Sequence, residues 1–205
     1  MRSGFDNTIW QTLDKLAWQQ IKAESDIVEK DGFGVKVLRC NNGDYIKTFR
    51  VKHKISLARI LNPAKRFCGN AEKLRALGVD TLVPLALYSL PDNRWEARYP
   101  PLDGETLRAL IKTSTLSEKN IADLGAYVAK LHDKGIYFRS LHPGNVVLQP
   151  NGELGLIDIL DCRFRWLNRP LNAWQRERNL QHFFRYEDGK LIEKALRAAY
   201  SFSTQ

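Results

Sequence analysis

The stretch Tyr137-Phe138-Arg139-Ser140-Leu141-His142-Pro143-Gly144-Asn145-Val146-Val147-Leu148, with Leu156-Ile157-Asp158 close behind it, constrains this chain more than any other part. A helix ending in Leu131-His132 leads into it. A loop then ends on the amide side chain of Asn145. Two short apolar strands follow, separated by the turn Gln149-Pro150-Asn151-Gly152, and the second delivers the carboxylate of Asp158. An amide and a carboxylate at the ends of neighbouring strands are hard oxygen ligands, the kind that suit Mg²⁺ holding a triphosphate.

This run resembles the catalytic loop and metal-binding strand of the protein-kinase-like superfamily. The match is closest to the bacterial lipopolysaccharide core kinases of the Kdo-kinase type, toluene-tolerance-type proteins included, whose loop reads roughly His-x-Asp-Leu-His-Pro-Gly-Asn. Leu141-His142-Pro143-Gly144-Asn145 reproduces the second half of that loop residue for residue. The first half departs from it, with Phe138 where His is usual and Ser140 where the catalytic Asp is usual. Ser140 lies five residues before Asn145, as the loop of such enzymes requires.

Upstream, residues 7 to 23 predict one amphipathic helix, with Ile9, Leu13, Leu16, Ala17 and Ile21 near helical spacing. Residues 27 to 40 read as strand, glycine turn and strand, and Asn41-Asn42-Gly43-Asp44 as a hairpin turn before a third strand, Tyr45 to Phe49. Pro63 predicts the start of a helix that runs to Leu77 and stops at Gly78. Its apolar face holds Phe67, Ala71, Leu74 and Leu77, with Asn70 on the same side and Glu72 roughly 200° away on a helical wheel. A hairpin spans residues 83 to 99 around Pro91-Asp92-Asn93, and a helix opens near Gly104. Ser117 caps a long helix whose buried stripe is Ile121, Leu124, Val128 and Leu131, ending near Lys134-Gly135. The last helices are predicted at about 173 to 186 and 191 to 200.

The resemblance covers residues 27 to 186 and implies an α+β chain of two lobes. A small antiparallel-sheet N-lobe (1–98) would precede a reduced, mainly helical C-lobe (99–205). It implies ATP and Mg²⁺ as cofactors, with the metal held by Asn145 and Asp158. Gly32 and Gly34 would be the turn over the phosphates, and Lys47 the lysine paired with them. Asn70 takes the helix position that usually holds that lysine, with Glu72 as the fallback. Tyr99 falls in the segment that would meet adenine. Ser140 would orient the acceptor hydroxyl. Asp161 is open between a second metal or substrate carboxylate and a salt-bridge partner for nearby arginines, with the second favoured.

Composition narrows the setting. Hydrophobic content of 43%, with five Trp and nine Phe, supports a packed core. Cys40, Cys68 and Cys162 lie far apart with no C-x-x-C pair, which points to a reduced chain without a disulfide framework. No signal-peptide stretch or membrane span is visible in the sequence, so a cytoplasmic location is expected. The net charge of +9 draws on Lys47, Arg50, Lys52, Lys54, Arg59, Lys65 and Arg66, with no acid from 47 to 66. Such a run suits an anionic glycolipid and peripheral contact with the inner face of the cytoplasmic membrane. Basic charge is the only support for a nucleic-acid module.

Two functions follow. The first is an ATP- and Mg²⁺-dependent phosphotransferase acting on a sugar of the lipopolysaccharide core. The second is a pseudokinase of the same fold that regulates envelope assembly, because a serine hydroxyl can orient an acceptor but is a poor base. Asp161 and His142 are the candidates to replace the missing carboxylate.

Overall fold

A computed structural model of the protein describes residues 9–50, 62–91 and 94–204. The chain is α+β, and its contacts divide it into two compact units, residues 1–73 with 82–101 and residues 74–81 with 102–205. The sequence suggests one boundary at 98/99. The contacts also assign the end of one helix and a short strand, residues 74–81, to the second unit.

The first unit begins with β1 (Ile9–Thr12), α1 (Lys15–Ala23), β2 (Ser25–Asp31), β3 (Gly34–Cys40) and β4 (Tyr45–Arg50). Helix α2 (Pro63–Ala76) crosses into the second unit, which receives β5 (Asp80–Thr81). Strands β6 (Ala86–Leu90) and β7 (Arg94–Tyr99) return to the first. Its described strands form one sheet in the order β1-β6-β7-β4-β3-β2, antiparallel except for β1 beside β6.

The single helix expected over 7 to 23 is therefore corrected. Ile9 to Thr12 pair with Ala86 to Ser89 instead, and the Leu13 amide continues onto the Ser89 carbonyl at 3.0 Å. Pairing with β6 takes up the N–H and C=O groups on one side of β1, whereas the first turn of a helix leaves its N–H groups without intrahelical partners. Asp14 then starts the helix by accepting from the Ala17 amide at 2.8 Å. Trp18 turns inward against Leu38, Ile46 and Leu90, while Leu16 is left exposed. The β2–β3 turn depends on Gly34, whose φ of +111° favours glycine.

The second unit continues with β8 (Glu105–Thr106), α3 (Leu107–Lys112), α4 (Glu118–Asp133), β9 (Ile136–Phe138), β10 (Val146–Leu148), β11 (Leu154–Leu156) and β12 (Cys162–Phe164). It closes with α5 (Ala173–Phe183), α6 (Glu187–Leu191) and α7 (Glu193–Phe202). One small sheet runs β5-β11-β10-β8, and β9 pairs with β12. Ser117 and Asn120 form a reciprocal capping box at the start of α4. Leu124, Val128 and Leu131 are fully or almost fully buried along it. Helix α7 crosses α4 at Gly125, where an added Cβ would sit 2.5 Å from the Ala199 Cβ. The helix expected over 173 to 186 breaks after Phe183. Phe183 and Phe184 are both buried, edge to face with ring centroids 5.6 Å apart. The Phe184 amide still closes on the Leu180 carbonyl at 3.1 Å, so Leu180, Phe183 and Phe184 share one buried face before the chain leaves the helix.

Candidate functional site

The second unit builds its candidate site around the β9-loop-β10 segment. After β9 the Leu141 amide bonds back to the Phe138 carbonyl at 3.1 Å, and Pro143–Asn145 forms one 3-10 turn. The β10–β11 ladder pairs Val146 with Leu156, and the Ile157 amide extends it to the Asn145 carbonyl at 3.0 Å. Asn145 and Asp158 therefore leave adjacent strand ends, as their spacing suggests. The buried Asn145 donates its side-chain N–H to the Ser140 carbonyl at 2.9 Å. That bond clamps the loop and commits the amide nitrogen, so Oδ1 is the atom with lone pairs for an ion.

Asp158 has φ 53° and ψ 43°, a left-handed backbone that costs a non-glycine residue on the order of 1 kcal/mol or more. It turns the chain out of β11 into a 3-10 turn at Ile159–Asp161. Among the described residues, no three His, Cys, Asp or Glu side chains gather as a metal cluster. An amide oxygen with a single carboxylate is a different donor set, and it fits Mg²⁺, which keeps several waters and phosphate oxygens.

Ser140 and Asp161 meet. The Ser140 hydroxyl donates to Asp161 Oδ2 at 2.8 Å, and the Arg139 amide reaches the Asp161 carbonyl at 3.4 Å. The β9–β12 ladder explains this, since Phe138 pairs with Cys162 and the two residues leave the same end of it. The favoured reading of Asp161 as a salt-bridge partner is corrected: among the described residues, no arginine lies within ion-pair distance of its carboxylate. The serine proton goes to the carboxylate, which leaves the serine lone pairs free to accept.

A buried chain of hydrogen bonds holds this loop in place. His132, with no exposed surface, has Nδ1 2.8 Å from the Tyr200 hydroxyl and Nε2 3.1 Å from Asn179 Oδ1. Asn179 in turn donates to the Phe138 carbonyl at 2.7 Å. The Arg176 guanidinium donates to Tyr200 at 3.3 Å, which assigns the Tyr200 proton to His132 Nδ1 and leaves Nε2–H for Asn179. Burial lowers the His132 pKa to about 4, with the Arg176 charge acting in the same direction. The imidazole is therefore neutral. His132 and Asn179 are visible in the sequence as a helix end and an Asn-Leu segment, yet nothing local says that they meet. His142 accepts from the Gly144 amide at Nδ1, 3.0 Å, and its ring packs on Tyr186 at 4.6 Å. With Nδ1 occupied by the Gly144 amide, the His142 imidazole shapes the loop.

The remaining site residues belong to the first unit. Gly32 and Gly34 sit in the β2–β3 turn, with Phe33 exposed between them and its amide bonded to Asp31 at 2.8 Å. Gly34 alone of the two has positive φ. Lys47 is buried on β4 opposite Ala97, so it is not part of a solvated basic face. Its neighbours Phe49 and, across the ladder, Tyr99 both pack on Phe67 of α2, at 5.3 and 5.6 Å. By strand alternation Lys47 lies on this same face, the one α2 covers, and Asn70 follows Phe67 by one helical turn and is buried. Tyr99 spends its ring on that core and on Tyr45 at 6.5 Å, so a ligand would meet its backbone. Residues 51–61, with Lys52, Lys54 and Arg59 of the basic run, and the turn at 92–93 lie outside the described residues, while Lys65 and Arg66 are exposed on α2.

Searches against protein-family models and against curated proteins return no match to this chain.

Proposed function

We propose that the chain is an ATP- and Mg²⁺-dependent phosphotransferase of the protein-kinase-like fold, acting on a sugar hydroxyl of the lipopolysaccharide core. The observation that carries this reading is the loop corner. Asn145 is clamped to the Ser140 carbonyl, and Asp158 is strained into a left-handed turn beside it. Asn145 Oδ1 and the Asp158 carboxylate would hold the metal, and Lys47 would take the phosphates. Bound Mg²⁺ supplies neutralisation of the charge on the transferring phosphoryl group.

Ser140 accepts a hydrogen bond from the acceptor hydroxyl while its own proton already points at Asp161. As the new oxygen–phosphorus bond forms and the bond to ADP breaks, the acceptor proton passes to Ser140 and the serine proton to Asp161. The usual carboxylate is thus displaced by one residue's reach, and the serine relays to it. The pseudokinase reading rests on the same serine and predicts nucleotide binding without transfer. Purified core glycolipid with ATP separates the two. Transfer should occur in wild type, vanish in Asp158→Ala, and fall roughly 10²- to 10⁴-fold in Asp161→Asn. Thermal stabilisation by ATP with Mg²⁺ but no transfer would favour the pseudokinase, and no stabilisation at all would remove both readings.

A further inference from the structure

The second unit pairs three of its arginines tightly with carboxylates. Arg108 meets Asp188 at 2.5 Å, Arg176 meets Asp133 at 2.6 Å, and Arg197 meets both Glu177 and Glu193. Four other arginines behave differently. Arg139, Arg163, Arg165 and Arg178 converge on one cavity of about 500 Å³, walled also by Tyr137 and Trp174. Among the described residues none of these four forms an ion pair with a carboxylate. Four like charges around one cavity raise a positive potential there that favours an anion.

The cavity's position says which anion. Tyr137 pairs with Arg163 across the β9–β12 ladder, so the two share its outer face. Arg139 directly precedes Ser140, and Arg163 follows Asp161 by two residues, so the cavity is built on the two chain segments that carry the hydroxyl–carboxylate pair, while neither member of that pair lines it. Arg165 is anchored by donating to the Pro170 carbonyl, and Arg178 lies over the Trp174 ring at 5.0 Å. Both guanidinium groups are thereby oriented in advance. Gln175 spends its side-chain oxygen on the Asn172 amide at 3.2 Å, which leaves its N–H groups as donors at the same wall. The first turn of α5 adds the positive end of an eleven-residue helix. Exposed aromatic surface from Trp174 supplies the apolar face that sugar rings use.

We infer that this cavity is a binding site for a phosphorylated sugar, whose phosphate monoester is held by Arg139, Arg163 and Arg178 while its ring lies against Trp174. The inference deepens the proposed function, on which it rests for the meaning of the neighbouring Ser140–Asp161 pair. It makes the acceptor a glycolipid that already carries a phosphorylated sugar. Forked guanidinium donors match phosphate oxygens two at a time, which a lysine cluster would not do.

The test is calorimetric titration of the full chain with glucose 6-phosphate, with glucose, and with phosphatidylglycerol vesicles. Glucose 6-phosphate should bind where glucose does not. Arg163→Ala and Arg178→Ala, both at exposed positions, should each weaken it roughly tenfold or more with the melting temperature unmoved. Binding of glucose as tight as that of its phosphate would overturn the site, as would sugar-phosphate affinity unchanged in both variants. Vesicle binding without sugar-phosphate binding would overturn it too, assigning the charge to a membrane surface. Failure of the phosphotransfer reading looks different: ATP with Mg²⁺ would leave the melting temperature unmoved while Arg163-dependent sugar-phosphate binding persisted.

Discussion

At Ser140 one atom decides how the loop can work. Its hydroxyl is bonded to Asp161 at 2.8 Å, and a hydrogen bond to a charged group contributes about 1.5 to 3 kcal/mol. Ser140→Ala should therefore lower stability by about 1.5 to 3 kcal/mol in urea unfolding and slow transfer, while leaving the thermal shift with ATP and Mg²⁺ intact. Loss of that shift would show that Ser140 serves the metal corner instead. His132 makes a second residue-scale prediction. Its folded pKa is lowered to about 4 from an ordinary value near 6.5, so over that window the unfolded chain binds a proton that the folded chain refuses. Stability is then full above about pH 6.5 and falls as pH drops toward 4, by up to about 3 kcal/mol from this group. Unfolding measured at pH 7 and pH 4.5 should show a smaller difference in His132→Gln than in wild type. An equal difference in the two proteins would clear His132 of the effect.

Elements determine how closely the second unit can pack. Helices α4 and α7 touch at Gly125, where a methyl group would press on Ala199 and on the Tyr200 backbone 2.7 Å away. Gly125→Ala should cost about 1 to 3 kcal/mol by overpacking, and through the Tyr200–His132–Asn179 chain it should also loosen the loop at Phe138. Hydrogen exchange at the Leu141 amide would report this, and unchanged protection there would show that the chain of bonds does not carry the strain. Long elements with clear periodicity were legible in sequence. The cap at Ser117, the run to Asp133 and the start at Pro63 all lie where spacing and capping residues put them. Strands of two or three residues, such as β5, β8, β9 and β12, were not, because so few positions carry no period.

For the whole molecule, ligand linkage offers the most direct measurement. A nucleotide at a hundred times its dissociation constant stabilises the folded state by about 2.7 kcal/mol. ATP with Mg²⁺ should raise the melting temperature of the wild type and much less that of Asp158→Ala, and EDTA should reverse the rise. A shift that survives EDTA would mean the nucleotide binds without the metal corner. Among the described residues no helix is long and apolar enough to cross a membrane. Attraction of the +9 net charge to an anionic membrane surface should weaken with salt.

Sequence by itself determined the α+β alternation, the long helices, and the loop that sets Asn145 and Asp158 on adjoining strands, because each follows from residues near one another along the chain. Only the tertiary structure decided that β1 would leave its helix for a strand edge, that Asp161 would take the Ser140 proton, and that four arginines would gather with no carboxylate partner among the described residues. Those outcomes depend on which groups a distant strand or helix brings within hydrogen-bond or Coulomb range, and no local pattern of side chains encodes that distance.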